Sequence, residues 1–484
     1  MKPKWPLILC CLFFALCSCK KEGGTVPDAS QSSSQKITTE EFTVSNEFQN
    51  NMVVQRDKPL SIWGKATTNT KINVSVSWNS GNFTAVADTN GNWRAIIPAT
   101  GANANPQTIT CRVNESTSVT LSNILIGDVW LCVGQSNMVM PVGPADSFLG
   151  VVNYDQEIQA AQYPLIRFQT IQANLNSPIL DAFGNVNPWQ VCSPTTVGNV
   201  SAVGYFFARK LHTSLNVPIG VIISAFNGTS CYDWWSGGRC YGGMISPLIK
   251  LSVKGFIWYQ GETDQHMLPV SDYTNVNNRL IEYWRKAFNQ GDLPFYFVQL
   301  APFAEDYFDT NPTGGNLTGD YLAKFREAQA NVLLTPATGM AVTMDVGDPI
   351  SHHPCNKKPV GERLALLALK NTYNQNVVCT GPRYLSYSQS GNQLTINYVN
   401  GTAEGLNTIN NAALNQLFFV SGADAVLRNA PAVINGNTIV LTVPANVPGP
   451  VVSVRYAFTN APITNLQNSA GLPAEPFRTD NWSF

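Results

Sequence analysis

Charge is scarce in this chain. Only 13% of its 484 residues are Asp, Glu, Lys or Arg and the formal net charge is -1, so it has no field that would draw in nucleic acid or anionic lipid. Histidine is scarcer still, with four residues. Beyond the N-terminal segment the cysteines show no paired C-x-x-C spacing, which removes the usual zinc signatures. No metal, no cofactor and no nucleic-acid partner is therefore expected. What is plentiful is apolar and neutral: 44% of residues are hydrophobic and 10% aromatic, with Asn, Thr and Ser supplying the polar surface. That is a globular composition, and the length is too great for one ordinary core, so two or three domains are expected.

The N-terminus reads as a leader. Lys2 and Lys4 precede an apolar run over residues 5–16, too short to serve as a membrane span, and small residues then lead to Cys19. The tetrad Leu16-Cys17-Ser18-Cys19 resembles a bacterial lipobox, which implies lipidation at Cys19 and an exported protein anchored to a membrane, facing the periplasm or the cell surface. An ordinary cleaved signal peptide is the alternative, but no better placed small-x-small site supports it. Residues 20–40, rich in Gly, Ser and Lys, form the expected tether. Export permits disulfides, and Cys231 with Cys240 closes a short loop of the kind such bridges pin. Cys132 lies in an apolar strand pattern and reads as a small buried hydrophobe.

Three regimes follow the tether. Over residues 41–125, short runs such as Lys71-Ile-Asn-Val-Ser-Val-Ser-Trp78 place apolar residues at every second position between turn residues, the pattern of a small antiparallel β-sandwich. Over residues 126–376 the rhythm changes. Continuous apolar segments (129–133, 219–224, 254–259, 295–300, 340–344) alternate with helical ones (201–214, 272–288, 321–333, 359–373), which argues a parallel sheet covered on both faces. Over residues 377–484 the alternation returns, so a second β region is expected, which could pack against the first.

In such a sheet the site lies at the carboxyl ends of the strands, and four residues there carry chemistry. Ser136 follows the strand 129–133 through Gly134 and Gln135 and opens a predicted helix, a setting that lifts a hydroxyl above the sheet and aims unpaired amides at a developing oxyanion. Simple N-capping is the bland alternative. Gly228, just past the strand 219–224, lets a backbone N–H approach a ligand, though a plain turn explains it equally. Gln260 ends the next strand, where its amide can donate into the same crevice or be buried structurally. His353 sits in a loop before the last helix and can act as a general base, with His352 adjacent. Asp348 could orient that ring, with Asp345 and Glu262 the other carboxylates near the site. Tyr232, Trp234 and Trp235 lie beside the Gly228 loop, although aromatics in such domains are more often core.

Four ordered segments, Gly134-Gln-Ser-Asn-Met138, Trp258-Tyr-Gln-Gly-Glu262, Asn356-Lys357 with Gly361-Glu-Arg-Leu-Ala365, and Gly471-Leu-Pro-Ala-Glu-Pro-Phe-Arg478, resemble bacterial sialate O-acetylesterases. The likeness begins near Asn51-Met-Val-Val-Gln-Arg56 and covers nearly all of the chain after the leader. It implies an α/β, SGNH-type three-layer hydrolase with flanking β regions, Ser136 as nucleophile and His353 as base. The backbone amides of Ser136 and Gly228 with the Gln260 side chain would form the oxyanion hole. The chain departs from the pattern before the histidine, where Ser351 and Ile350 replace the usual acid; Asp348 is taken as the third member. The expected activity is hydrolysis of O-acetyl groups from sialic acid through an acetyl-Ser136 intermediate. Acetyl-xylan or another polysaccharide is the alternative substrate, and an inactive glycan-binding lipoprotein the alternative function.

Overall fold

The long strand Ser118–Gly134 organises the molecule, and its burial changes character midway. Residues at its start alternate between exposed and buried; from Ile124 to Gly134 every residue is buried. The first half pairs antiparallel with Asn103–Arg112, and the second half is the centre of a parallel sheet. One strand thus belongs to both regimes, and a boundary drawn between residues 125 and 126 falls inside it. The computed structural model describes residues 42–184, 186–304 and 320–482. The expected leader, tether and lipidation site at Cys19 lie outside those residues.

Across the parallel sheet the strand order is Gln190–Cys192, Tyr163–Thr170, Ile219–Ala225, Ser118–Gly134, Gly255–Tyr259, Phe295–Val298 and Thr338–Ala341. Only the edge strand Gln190–Cys192 runs antiparallel to its neighbour. Alternate residues send aromatic rings to opposite faces. Trp130, in register with Gly255, packs on Phe207 of the helix Ala202–Leu215 with ring centres 5.2 Å apart. Phe256 and Trp258, out of phase with it, both meet Trp284 of the helix Val270–Phe288, at 5.4 and 5.7 Å. Ala202–Leu215 packs on Lys358–Asn371, and Val270–Phe288 on Tyr321–Asn331, so helices cover both faces. This is the three-layer α/β architecture, and burial on both faces is why its strands read as unbroken apolar runs.

The N-terminal strands share one continuous core with this sheet. The C-terminal strands form a sandwich with its own core of Leu394, Ile396, Phe418, Val420, Val454 and Tyr456, among others. That sandwich docks on the helix Tyr321–Asn331, not on the N-terminal strands as expected. Arg326 donates to the carbonyls of Thr459 and Asn460, and Arg478 pairs with Glu327. Among the described residues no hydrogen bond joins the two β regions directly.

Candidate active site

Ser136 stands where the central strand ends and the chain must turn at once. Gly134 has a φ of 149°, and a Cβ there would lie 2.0 Å from the Tyr259 carbonyl oxygen, so only glycine permits the close approach. Gln135 N–H donates to that same carbonyl at 3.1 Å. The helix expected after Ser136 is a single turn, Ser136–Val139, and its N-cap residue is Gln135. The Ser136 hydroxyl is therefore not consumed in capping. It lies 2.7 Å from Nε2 of His353.

His353 comes from the loop between the strand Thr338–Ala341 and the helix Lys358–Asn371. Its ring packs between two others, with centres 5.1 Å from Phe148, edge-on, and 3.9 Å from His352. Burial, with His352 and Lys357 beside it, holds the imidazole down at about 3, so it is neutral and able to accept a proton throughout the ordinary pH range. The adjacent His352 is not the residue that faces Ser136.

The carboxylates do not occupy the place the sequence suggests. Asp348 accepts from the Ile350 N–H at 3.0 Å, closing a turn in its own loop, and among the described residues no hydrogen bond or ion pair joins it to His353. Its five-residue spacing from the histidine is taken up by that turn. Asp345 is engaged by Arg363 through two bonds of 2.7 and 2.6 Å. Glu262 is buried and accepts from Asn137. Among the described residues no carboxylate is hydrogen-bonded to the Ser136–His353 pair.

The Gly228 loop is brought to the serine by register, since Ala225 pairs with Gly134 and the Phe226 N–H donates to the Gly134 carbonyl at 3.0 Å. Gly228 is exposed with a φ of 63°, and its carbonyl accepts from Arg239. Among the described residues the N–H groups of Ser136 and Gly228 make no hydrogen bond. Gln260 is different. Its side chain is fully buried, and Nε2 donates to the Thr229 carbonyl at 3.0 Å and to Asp264, so its two hydrogens are spent inside the protein. Asp264 in turn accepts from the Cys231 N–H at 3.0 Å, and burial pushes its carboxyl up to about 7. Gln260 and Asp264 anchor the loop that carries Gly228, and Gln260 Nε2 also lies 3.4 Å from Oε1 of Gln135, the residue before the serine.

Two further expectations change. Cys231 and Cys240 are free, buried thiols, and Cys231 Sγ donates to Gln260 Oε1 at 3.2 Å. Trp234 is buried and bonded to Thr229, whereas Tyr232, beside Trp235, is 47% exposed on the same loop. Asn137, Lys357 and Phe148 were not assigned roles from sequence. The first two lie inside the motifs quoted above, but nothing in their spacing reveals contacts across more than two hundred residues.

Residues 126–366 match the family model described as carbohydrate esterase, sialic acid-specific acetylesterase. The chain is 27% identical over 504 residues to the sialate O-acetylesterase of Homo sapiens, spanning 90% of this chain and 92% of that one. It is 26% identical over 531 residues to that of Mus musculus, with 90% and 94% covered. The crystal structure of a carbohydrate acetylesterase from Xanthomonas citri superposes with a TM-score of 0.81 at 32% identity, covering 91% of this chain and 100% of that one.

Proposed function

Because this chain belongs to the sialate O-acetylesterase family of carbohydrate esterases, we propose that it removes O-acetyl groups from sialic acid or a related sugar through an acetyl-Ser136 intermediate. The 2.7 Å contact between Ser136 Oγ and His353 Nε2 carries this reading. The neutral imidazole takes the hydroxyl proton as Oγ attacks the acetyl carbonyl. The resulting oxyanion is met by the free amides of Ser136 and Gly228, and the imidazolium returns the proton to the departing sugar oxygen. Water, deprotonated by the same ring, then releases acetate and restores the serine. A glycan-binding protein without activity would have no use for a hydroxyl held against a neutral imidazole.

Acetylated polysaccharide, acetyl-xylan included, is the second substrate class. The likeness to the carbohydrate acetylesterase from Xanthomonas citri, which is similar along its whole length and whose name specifies no particular sugar, is compatible with it. Acetate release from O-acetylated sialic acids and from acetylated xylan, by wild type and Ser136→Ala, separates the two. Release from neither substrate by an enzyme that still cleaves aryl acetates would reject both. Export and anchoring through Cys19 remain part of the proposal and rest on the leader sequence. Labelling with a radioactive fatty acid in a bacterial host, lost in Cys19→Ser, is the outcome expected.

A further inference from the structure

The loop that presents His353 is held on both sides of that residue. The His352 carbonyl accepts from Asn137 Nδ2 at 2.8 Å, and the Pro354 carbonyl accepts from Lys357 Nζ at 2.7 Å. The same ammonium donates to Asn137 Oδ1 at 2.6 Å, and Asn137 Nδ2 also donates to Glu262. Asn137, Lys357 and Glu262 are all sealed from solvent, at 1%, 0% and 3% exposure. The residue next to the nucleophile is thereby tied to the backbone before and after the base. In a dry interior such bonds are strong, and an unpaired member would be costly, so the network has little freedom to rearrange.

Resting on the reading of Ser136 and His353 as nucleophile and base, we propose that Asn137 and Lys357, backed by Glu262, are positioning residues that hold His353 against Ser136. They perform by clamping the loop the orienting task that a carboxylate on the imidazole performs in a Ser-His-Asp triad. The ring needs little else. Phe148 and His352 pack against it, and the loop is pinned at this residue by the His353 backbone N–H, which donates to the Ser351 hydroxyl at 3.1 Å.

The electrostatic consequence is opposite to that of a triad. The groups around the base are His352 on its own loop, Lys357 at the head of the following helix, Glu262 beyond the strand Gly255–Tyr259, and His266, which acts on His352. Burial pushes Lys357 down to about 7 and raises Glu262, while their mutual attraction favours the charged pair. A cation beside His353 disfavours its protonation, where an aspartate would favour it. Orientation here comes from geometry, and burial first, with the nearby charge adding to it, keeps the ring neutral.

The test uses the whole protein and 4-nitrophenyl acetate, with fluorophosphonate labelling of Ser136 as a readout of serine activation that involves no sugar. Lys357→Met and Asn137→Ala should lower kcat on the order of a hundredfold with KM little changed, and slow labelling in step. Lys357→Met should also move the acid limb of kcat/KM upward, towards the ordinary imidazole value of about 6.5, because a cation has been removed. Glu262→Gln keeps an acceptor for Asn137 and should retain most activity. Circular dichroism checks folding; if Lys357→Met does not fold, Asn137→Ala carries the same kcat and labelling test. Wild-type kcat and labelling in folded Asn137→Ala or Lys357→Met, a loss confined to KM, or an acid limb that stays in place in Lys357→Met would each overturn the proposal. A wild type that labels and cleaves aryl acetate but leaves acetylated sugars intact removes the substrate reading alone.

Discussion

Gln260 and Asp264 are hydrogen-bonded to each other beneath the Gly228 loop, both closed off from solvent. Through them the Thr229 carbonyl and the Cys231 N–H are fixed, so the loop's exposed tip is held from below. An amide bonded in this way supports the loop from beneath.

Gln260→Ala is accordingly expected to cost about 1–3 kcal/mol of stability, since it takes one donor from a buried carboxyl and another from a buried carbonyl. Its effect on kcat should be on the order of tenfold, below the hundredfold or more that follows loss of a direct oxyanion donor. Urea unfolding and steady-state kinetics on one preparation check both. A hundredfold loss at wild-type stability would return Gln260 to the oxyanion hole.

Asp348→Asn should leave kcat/KM at the wild-type level, because the carboxylate closes a turn and does not touch the base. His353→Ala, by contrast, removes the proton acceptor and should cost roughly a hundredfold to ten-thousandfold. The ratio of the two effects, measured with an activated acetyl ester, distinguishes a dyad from a triad. A large loss in Asp348→Asn would mean that the loop rearranges when substrate binds.

The pH dependence follows from the state of His353. A base must be unprotonated to work, and this one is held down at about 3, first by burial and then by His352 and Lys357. Lowering its pKa extends activity towards acid. The expected kcat/KM profile is flat from neutrality down through about pH 5, where an ordinary imidazole of about 6.5 would already be mostly protonated. A half-point near 6.5, with the fold intact by circular dichroism, would show that the ring is wetter or better paired than its surroundings indicate.

Gly134→Ala places a methyl group 2.0 Å from the Tyr259 carbonyl oxygen, which is backbone and cannot step aside. The variant is expected to lose activity and to melt at lower temperature, because the turn that carries Ser136 must shift off the sheet. Wild-type rates in Gly134→Ala would show that the turn tolerates another path.

Much of the fold was legible because burial on two faces writes itself into sequence as unbroken apolar runs. The strands around Val129–Val133, Ile219–Ser224 and Gly255–Tyr259 and the helix ending at Phe288 lie where the rhythm puts them. The strand Tyr163–Thr170 was not read, since Pro164, Arg167 and Gln169 interrupt its apolar pattern; Arg167 and Gln169 are nonetheless buried. Ser136 and His353 were legible as chemistry, each in a motif at the end of a strand. Their partners were not. Asp348 looks like an orienting acid because it is near in sequence, yet a turn uses it up locally. Asn137 and Lys357 act across 220 positions, a distance only the folded chain closes. Gln260 carries the right functional group in the right crevice, but whether an amide faces the cleft or the core depends on neighbours such as Asp264, which sequence does not place.

Whether Ser136 becomes acetylated bears most directly on all of this. Wild type mixed with 4-nitrophenyl acetate and quenched in acid within the first turnovers should carry one acetyl group on the peptide containing Ser136, as read by mass spectrometry. Ser136→Ala should carry none and should not turn the ester over. Turnover by Ser136→Ala at the wild-type rate, or an acetyl group that forms and decays at catalytic speed on another residue, would contradict the assignment of Ser136 as nucleophile.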